Sequence, residues 1–225
     1  MKKIRTLLVT FNNPIAQQQI TAFRGAIIEK AGRENTLFHN HITSDTFSYR
    51  YPLIQYKTIS KLPAIYCVDE GVEEIHKLFE NKSWTIDLKG EKMDLVVEDL
   101  NLKSATLTIS DKLIEYQIQR WQALNEENYR KYQALSSLTE KLEMLQRILI
   151  GNILSFAKGI EWHIDKPIVL HITDLQTEKL TRMKDIKVIV FNIQFTCNVS
   201  LPNYIGLGKG ASTGFGIVKM IKSED

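Results

Sequence analysis

Two histidines separated by one residue, His39 and His41, are the side chains of this sequence best suited to chemistry. Alternation along an extended segment would place both on the same side. Because an unperturbed imidazole has a pKa of about 6.5, such a pair can accept and donate protons near neutral pH. A metal site is a weaker interpretation, since no third ligand lies nearby in the sequence. A purely structural pair of histidines remains the alternative.

A glycine-rich segment near the end of the chain is the second chemical feature. Residues 206–216 hold five glycines. Turns of this kind can arrange successive N–H groups into a concave nest for phosphate oxygens, and Lys209 adds a cation. The segment is neither a P-loop nor a dinucleotide fingerprint. Asn203 and Gly210 stand where a P-loop requires Gly and Ser or Thr, and too few residues follow for the second motif.

The spacing Gly-hydrophobic-Gly, five residues, Gly-Phe-Gly is similar to the signature loop of the RAMP superfamily. It resembles the branch of CRISPR-associated endoribonucleases that cut repeat RNA. Members of that branch place one or two histidines just after the first helix, followed by a strand with tyrosine and lysine. His39 and His41 match these positions here, and Tyr49 and Lys57 follow. The resemblance implies a catalytic set of His39, His41, Tyr49 and Lys57.

The chemistry that the resemblance implies needs neither a metal nor any other cofactor. RNA carries its own nucleophile, the 2′-hydroxyl, so one group must remove that proton and another must protonate the departing 5′-oxygen. His39 and His41 would transfer these protons, and Lys57 would stabilise charge on the phosphorane. The products would be a 2′,3′-cyclic phosphate and a 5′-hydroxyl.

The expected partner is CRISPR repeat RNA, with proteins of a CRISPR effector complex and a second copy of the chain as further options. The candidate RNA-binding residues are Gly206, Gly208, Lys209, Gly210, Ser212, Gly214, Phe215, Gly216, Arg24 and Arg50. Three alternatives stay open. The loop could merely turn the chain, the protein could be a non-catalytic RNA-binding subunit, or it could be a metal-dependent DNA nuclease, which EDTA would inhibit.

The elements that must position these residues indicate an α+β fold with two tandem ferredoxin-like domains and antiparallel sheets. We expect residues 1–110 to form the first domain, in the order strand, helix, strand, strand, helix, strand. Its first helix is predicted from about residue 14 to residue 31, with Asn13 as cap and Pro14 as first residue, and Gly32 is expected to end it. Later strands are expected over 95–102 and 105–109.

Residues 111–225 are expected to form the second domain, with a modified first helical region. Ser137 and Glu140 have capping-box spacing, which predicts a helix from there to about Lys158, ended by Gly159. A last strand, over 217–221, follows the glycine-rich segment.

Composition adds weaker constraints. The net charge is +3, but residues 1–60 hold eight Lys or Arg against three Asp or Glu, and residues 61–100 hold five against ten. This asymmetry, +5 then −5, suits a polyanionic partner as well as it suits ordinary solvated faces. Cys67 and Cys197 are isolated thiols in apolar runs, which is typical of a reducing compartment. With no signal peptide or apolar span in the sequence, we expect a soluble cytoplasmic protein without a membrane partner.

Overall fold

The structure is a computed structural model that describes residues 1–39, 50–183 and 186–221. Two compact units divide the chain. The N-terminal unit holds residues 3–106 together with 212–214, and the C-terminal unit holds residues 1–2, 107–211 and 215–225. Each unit contains a four-stranded sheet whose strand order is the ferredoxin-like one. The expected α+β class, with two ferredoxin-like domains, is confirmed.

The N-terminal unit follows the predicted order of elements. These are β1 (Lys2–Phe11), α1 (Ile20–Ala31), α2 (Thr36–His39), β2 (Ile54–Ile59), β3 (Leu62–Val68), α3 (Glu70–Glu74), α4 (His76–Phe79), β4 (Thr85–Leu88), β5 (Glu91–Asp94) and β6 (Val97–Leu107). The sheet order is β2-β3-β1-β6, and β4 and β5 form a separate hairpin. Strands β1 and β2 both pair antiparallel with β3.

Helix α1 covers one face of this sheet. The ring of Phe23 meets that of Phe11 edge-on at 5.9 Å between centroids, and it meets that of Tyr56 at 6.2 Å. All three side chains are fully buried. The helix ends at Ala31, and Gly32 follows with φ of 93°, so the predicted C-terminal glycine is confirmed.

The predicted start of this helix is wrong. Residues Gln17–Gln19 form one 3₁₀ turn, and α1 begins only at Ile20. Asn13 and Pro14 therefore lie outside the helix. The reason is a tertiary contact, because Ile15 is buried and its N–H donates to the Lys61 carbonyl at 3.0 Å. Such contacts override local propensity.

Two further differences concern the end of the N-terminal unit. The strands predicted over 95–102 and 105–109 are largely one strand, β6, because the polar residues between them do not interrupt the pairing with β1. Strand β5 was not predicted, since its sequence Glu-Lys-Met-Asp lacks the apolar alternation of a half-buried strand.

The C-terminal unit repeats the same topology. Its elements are β7 (Ile109–Trp121), α5 (Glu126–Ala134), α6 (Leu138–Gly159), β8 (Leu170–Met183), β9 (Ile186–Val199) and β10 (Ile217–Met220). The sheet order is β10-β7-β9-β8. Two helices fill the first crossover, which confirms the modified first helical region. The second crossover holds no α-helix, only a 3₁₀ turn over Ala211–Thr213 within residues 200–216. The glycine-rich segment thus stands where the second ferredoxin-like helix would be.

Helix α6 begins at the predicted capping box. The Ser137 hydroxyl accepts from the Glu140 N–H at 3.2 Å, and the Glu140 carboxylate accepts from the Ser137 N–H at 3.2 Å. Gly159 is the last residue of the helix and does not stop it one position earlier. Within the described ranges, no helix is both long enough and apolar enough to cross a bilayer.

Candidate functional site

His39 is the last residue of the short helix α2. Its Nε2 lies 2.8 Å from the Arg33 carbonyl oxygen, and the side chain is partly exposed. Because a carbonyl oxygen only accepts, Nε2 must carry a proton in this contact. In the neutral ring the lone pair then resides on Nδ1, which is the atom able to act as a base. The contact thus fixes the tautomer and the orientation of the imidazole.

Two side chains hold the main chain of α2 at its C-terminal end. Arg24 Nη2, from α1, donates to the His39 carbonyl at 2.6 Å. The Tyr56 hydroxyl, from β2, donates to the Phe38 carbonyl at 3.1 Å. These carbonyls are among those that a helix end leaves without an intrahelical partner. Arg24, expected as an RNA contact, therefore directs a donor at the protein's own backbone, and burial lowers its pKa.

Lys57 follows Tyr56 on β2 and points to the opposite face of the sheet, as strand alternation requires. Its side chain is 0% exposed. Nζ donates to the Gln55 Oε1 at 2.8 Å and lies 4.8 Å from the centroid of the Tyr66 ring. Burial lowers the pKa of Lys57 to about 7. The structure thus places the expected catalytic cation in the interior, where it is not permanently charged at neutral pH.

Three further candidate residues were expected in this region: His41, Tyr49 and Arg50. His41 and Tyr49 lie outside the described residues. Arg50 is exposed. The structure therefore brings Arg24 and His39 together, and it separates Lys57 from the surface.

The stem of the glycine-rich segment packs within the C-terminal unit. The Leu207 N–H donates to the Gly216 carbonyl at 2.9 Å, and Gly206 bridges to Ile217. A Cβ on Gly216 would lie 1.9 Å from the Leu207 oxygen, and its φ is 64°. Gly208 lies against Trp121. Close packing of the backbone is thus one reason for these glycines, independent of any ligand.

The tip of the segment, Ser212–Gly214, belongs to the N-terminal unit. Gly214 has φ of 78°, and a Cβ there would lie 3.2 Å from Gln17 Nε2 and 3.3 Å from Lys57 Cα. The Gln17 Oε1 accepts from the Thr58 hydroxyl. Gln17 and β2 therefore form the surface on which the tip rests.

The side chains of the segment differ in their access to solvent. Lys209 is exposed and Ser212 is partly exposed, whereas Phe215 is only 6% exposed. The Arg120 guanidinium lies 4.3 Å from the centroid of the Phe215 ring, and Gly210 lies against that ring. The phenyl ring is thus not an open platform for a base, while the Lys209 side chain is open to solvent.

Arg120 is a cation beside the loop that the sequence did not indicate. Its φ is 53°, at a register shift between β7 and β9, and its carbonyl accepts from the Gly216 N–H at 3.1 Å. Burial lowers its pKa. A register shift of this kind leaves no pattern in one sequence, and Arg120 is one of several charged residues of β7, so no sequence signal distinguished it. Among the described residues, no three His, Cys, Asp or Glu side chains are grouped as metal ligands.

Comparison with known proteins follows the division into two domains. The profile of the Cas6b N-terminal domain matches residues 2–106, and that of the Cas6b C-terminal domain matches residues 108–221. A crystal structure of Cas6b is similar over 98% of this chain and 100% of that chain, with a TM-score of 0.88 and 26% identity. A crystal structure of a CRISPR RNA processing endoribonuclease, Cas6b, covers the same shares with a TM-score of 0.74 and 25% identity.

A relative without a known function also matches. An uncharacterized protein of Methanocaldococcus jannaschii is 34% identical over 134 residues, which are 59% of this chain and 90% of that protein. The profiles together span both halves of the chain. They confirm the resemblance to CRISPR-associated RAMP endoribonucleases, and the chain belongs to the Cas6b family.

Proposed function

We propose that this protein is an endoribonuclease that cuts CRISPR precursor RNA within its repeats, without a metal ion. The observation that carries the proposal is the match of both Cas6b domains to the two halves of the chain. One similar structure is that of a CRISPR RNA processing endoribonuclease, and its likeness extends over 98% of this chain. The position of His39 at the fixed end of α2 supports the same conclusion.

The reaction would use the 2′-hydroxyl of the substrate as nucleophile. A base removes its proton, the 2′-oxygen bonds to phosphorus, and the bond to the 5′-oxygen breaks as an acid protonates that oxygen. His39 and His41 carry these two transfers in our proposal. His39 suits the role of base through Nδ1, because Nε2 donates to the Arg33 carbonyl. The products are a 2′,3′-cyclic phosphate and a 5′-hydroxyl. Tyr49 stays a candidate catalytic residue on the basis of the sequence resemblance.

The roles of the other candidates are adjusted to their positions. We leave Lys57 out of the chemistry, because its Nζ is buried against Gln55 and Tyr66. Its backbone instead supports the loop tip at Gly214. Lys209 and Arg50, which are exposed, contact the RNA backbone in this proposal. Phosphate contacts of this kind depend on salt concentration.

A substrate with one altered atom tests the reaction. Repeat RNA carrying a single 2′-deoxy nucleotide 5′ of the scissile phosphate should bind and remain uncut, both with EDTA and with Mg²⁺ added. The substitution leaves the phosphate charge, so the electrostatic part of binding survives. In the reaction with Mg²⁺, a metal-activated water would cut that substrate, because it does not need the hydroxyl. Cleavage of the deoxy RNA at the normal rate would exclude the mechanism.

The same assay separates the enzyme from a non-catalytic RNA-binding subunit. A binding subunit would retain the unmodified repeat RNA on a gel and leave it intact at every protein concentration. Our proposal requires cleavage of unmodified RNA with EDTA present. The terminal phosphate of the product should resist phosphatase until acid opens the 2′,3′-cyclic phosphate.

A further inference from the structure

The turn that joins α1 to α2 carries the oxygen that the His39 ring contacts. The Asn35 N–H donates to the Gly32 carbonyl at 3.1 Å, which closes the turn of residues 32–35. The Arg33 carbonyl, whose oxygen lies 2.8 Å from His39 Nε2, belongs to a central residue of this turn. The conformation of the turn therefore decides where that oxygen points, and with it which ring nitrogen carries the proton.

Asn35 connects this turn to both helices. Its side-chain Nδ2 donates to the Ala31 carbonyl, one of the oxygens that the end of α1 leaves without an intrahelical partner. Its main-chain oxygen accepts from the Phe38 N–H at 3.1 Å, inside α2. Phe38 itself is buried and anchors α2 in the apolar core. A displacement of the half-buried Asn35 would thus move the turn against both helices.

Lys77 of α4 holds the oxygen of the Asn35 side chain. Its Nζ donates to Asn35 Oδ1 at 2.7 Å and also to the Glu74 carboxylate. The Lys77 and Glu74 side chains are only 34% and 22% exposed, whereas those of the pair Arg130 and Glu126 are 77% and 82% exposed. Exposed pairs contribute little, because solvent and salt screen them. The partly buried Lys77 ammonium is screened less, and two acceptors fix its position.

These contacts differ in kind from those that Arg24 and Tyr56 make. Arg24 and Tyr56 bond to main-chain oxygens at the C-terminal end of α2, so they fix where its backbone lies. A fixed backbone still allows an imidazole to rotate about its side-chain bonds. The Arg33 carbonyl bonds to the ring itself, so the orientation of the ring depends on the turn and on the contact between Lys77 and Asn35.

We propose that Lys77 and Asn35 are positioning residues that keep the His39 ring in the tautomer of a base. Lys77, held by Glu74, fixes the Asn35 amide, and Asn35 fixes the turn. The Arg33 carbonyl then keeps the proton on Nε2 and leaves the lone pair on Nδ1. The catalytic consequence rests on the proposed function, whereas the orientation of the ring rests on these contacts alone.

Nitrogen NMR on the full chain, without RNA, tests the orientation of the ring. A protonated and a bare ring nitrogen resonate at well-separated frequencies, and at a pH of about 8.5 an ordinary imidazole is neutral. His39→Gln identifies the signals. In the native protein His39 Nδ1 should be the bare nitrogen. Lys77→Met and Asn35→Ala should each move the two frequencies toward one another, because the ring then samples both tautomers, and Lys77→Arg should recover at least half of that change.

Cleavage kinetics test the catalytic consequence. Lys77→Met and Asn35→Ala should each lower kcat about tenfold and leave the KM for repeat RNA nearly unchanged, because a displaced base slows turnover and not binding. The double variant should be no slower than the slower single variant, since both changes act through one turn. Arg130→Met breaks an exposed ion pair on α5 and should alter neither the NMR signals nor kcat. Circular dichroism checks the folding of every variant.

The two measurements separate this inference from the proposed function. Native nitrogen frequencies in both Lys77→Met and Asn35→Ala overturn the inference, whatever the protein does to RNA. A native kcat in both variants overturns it as well. A native protein that leaves repeat RNA uncut contradicts the proposed function, and the NMR comparison then still decides whether Lys77 and Asn35 orient the His39 ring.

Discussion

The Arg24 guanidinium donates a hydrogen bond of 2.6 Å to the main-chain oxygen of His39. The two residues lie 15 positions apart, on α1 and at the end of α2. Tyr56 makes a similar bond to Phe38. The main chain that carries the imidazole is thus held by two side chains, one from α1 and one from β2. Arg24 is a positioning residue in the proposed reaction.

Replacement of Arg24 should therefore affect turnover more than binding. We expect Arg24→Ala to lower kcat about 10- to 100-fold, because a small displacement of a catalytic group carries a cost of that order. KM should change little, and Arg24→Lys should recover part of the loss by donating one hydrogen bond. Initial rates of cleavage over a range of repeat RNA concentrations, with RNA in excess of protein, measure both constants. Arg33→Ala is the control, since it removes an exposed arginine side chain and keeps the carbonyl that His39 contacts.

The opposite pattern would return Arg24 to the role that the sequence suggested. A raised KM with unchanged kcat, together with a smaller salt dependence of RNA binding, would mean that the guanidinium contacts a phosphate.

The two histidines should be separable from RNA binding. His39→Ala or His41→Ala is expected to slow cleavage about 100-fold or more, as the loss of a general acid or base usually does. The double variant should lose less than the product of the two single effects, because the groups act as a unit. RNA affinity, measured by filter binding, should be nearly unchanged. His76→Ala removes an exposed histidine as the control, and near-normal cleavage by the double variant would remove both residues from the mechanism.

The packing of the loop tip can be tested by comparing a closely packed glycine, Gly214, with an unobstructed one, Gly151. Gly214 has a positive φ and would place a Cβ 3.3 Å from Lys57 Cα, whereas Gly151 lies in α6 with nothing within 4 Å of a Cβ. Gly214→Ala should destabilise the protein by about 1–3 kcal/mol and weaken RNA binding. Gly151→Ala should stabilise it by about 0.5–1 kcal/mol, because alanine favours the helix. Denaturant titration and RNA binding provide the measurements.

Equal stability and unaltered RNA affinity in the Gly214→Ala protein would make the loop a simple turn. That outcome would also contradict the contacts of Gly214 with Gln17 and β2.

Local signals in the sequence predicted much of the fold. Gly32 ended the first helix and Ser137 capped the longest one as expected, because each acts through residues within one helical turn. The strand order followed from the order of elements. The start of α1 could not be predicted in the same way, since the contact between Ile15 and Lys61 joins residues far apart in the sequence.

The sequence allowed several candidate site residues to be identified, but it did not show which of them are buried. The sequence identified His39 and the glycine-rich segment, but alternation along β2 only assigns Lys57 to a face. It does not tell whether that face is covered. Arg24 was visible as a charge on a helix, and its bond to His39 depends on how α2 folds back. The position of Arg120 depends on its left-handed backbone conformation, and no residue type at that point of the sequence predicts such a conformation.

The buried lysine should make stability depend on pH. Burial lowers the pKa of Lys57 to about 7 from its ordinary value of 10.5. Between these values the folded protein holds a neutral amine, while the unfolded chain binds a proton. Protonation therefore favours unfolding in this window, and the free energy of unfolding rises with pH by up to about 1.4 kcal/mol per pH unit. Below pH 7 both states are protonated and the destabilisation is fully present.

Replacement of Lys57 by methionine should abolish this rise. Lys57→Met also leaves the Gln55 oxygen without the donated hydrogen bond, which costs about 1–3 kcal/mol at every pH. The informative quantity is thus the slope and not the absolute stability. Urea unfolding at several pH values between about 7 and 10 measures it. Lys61→Met, which removes an exposed lysine from the β2–β3 turn, should keep the native slope. Equal slopes in the native protein and in Lys57→Met would show that Lys57 stays charged in the folded state, and would restore it as a candidate cation for the phosphorane.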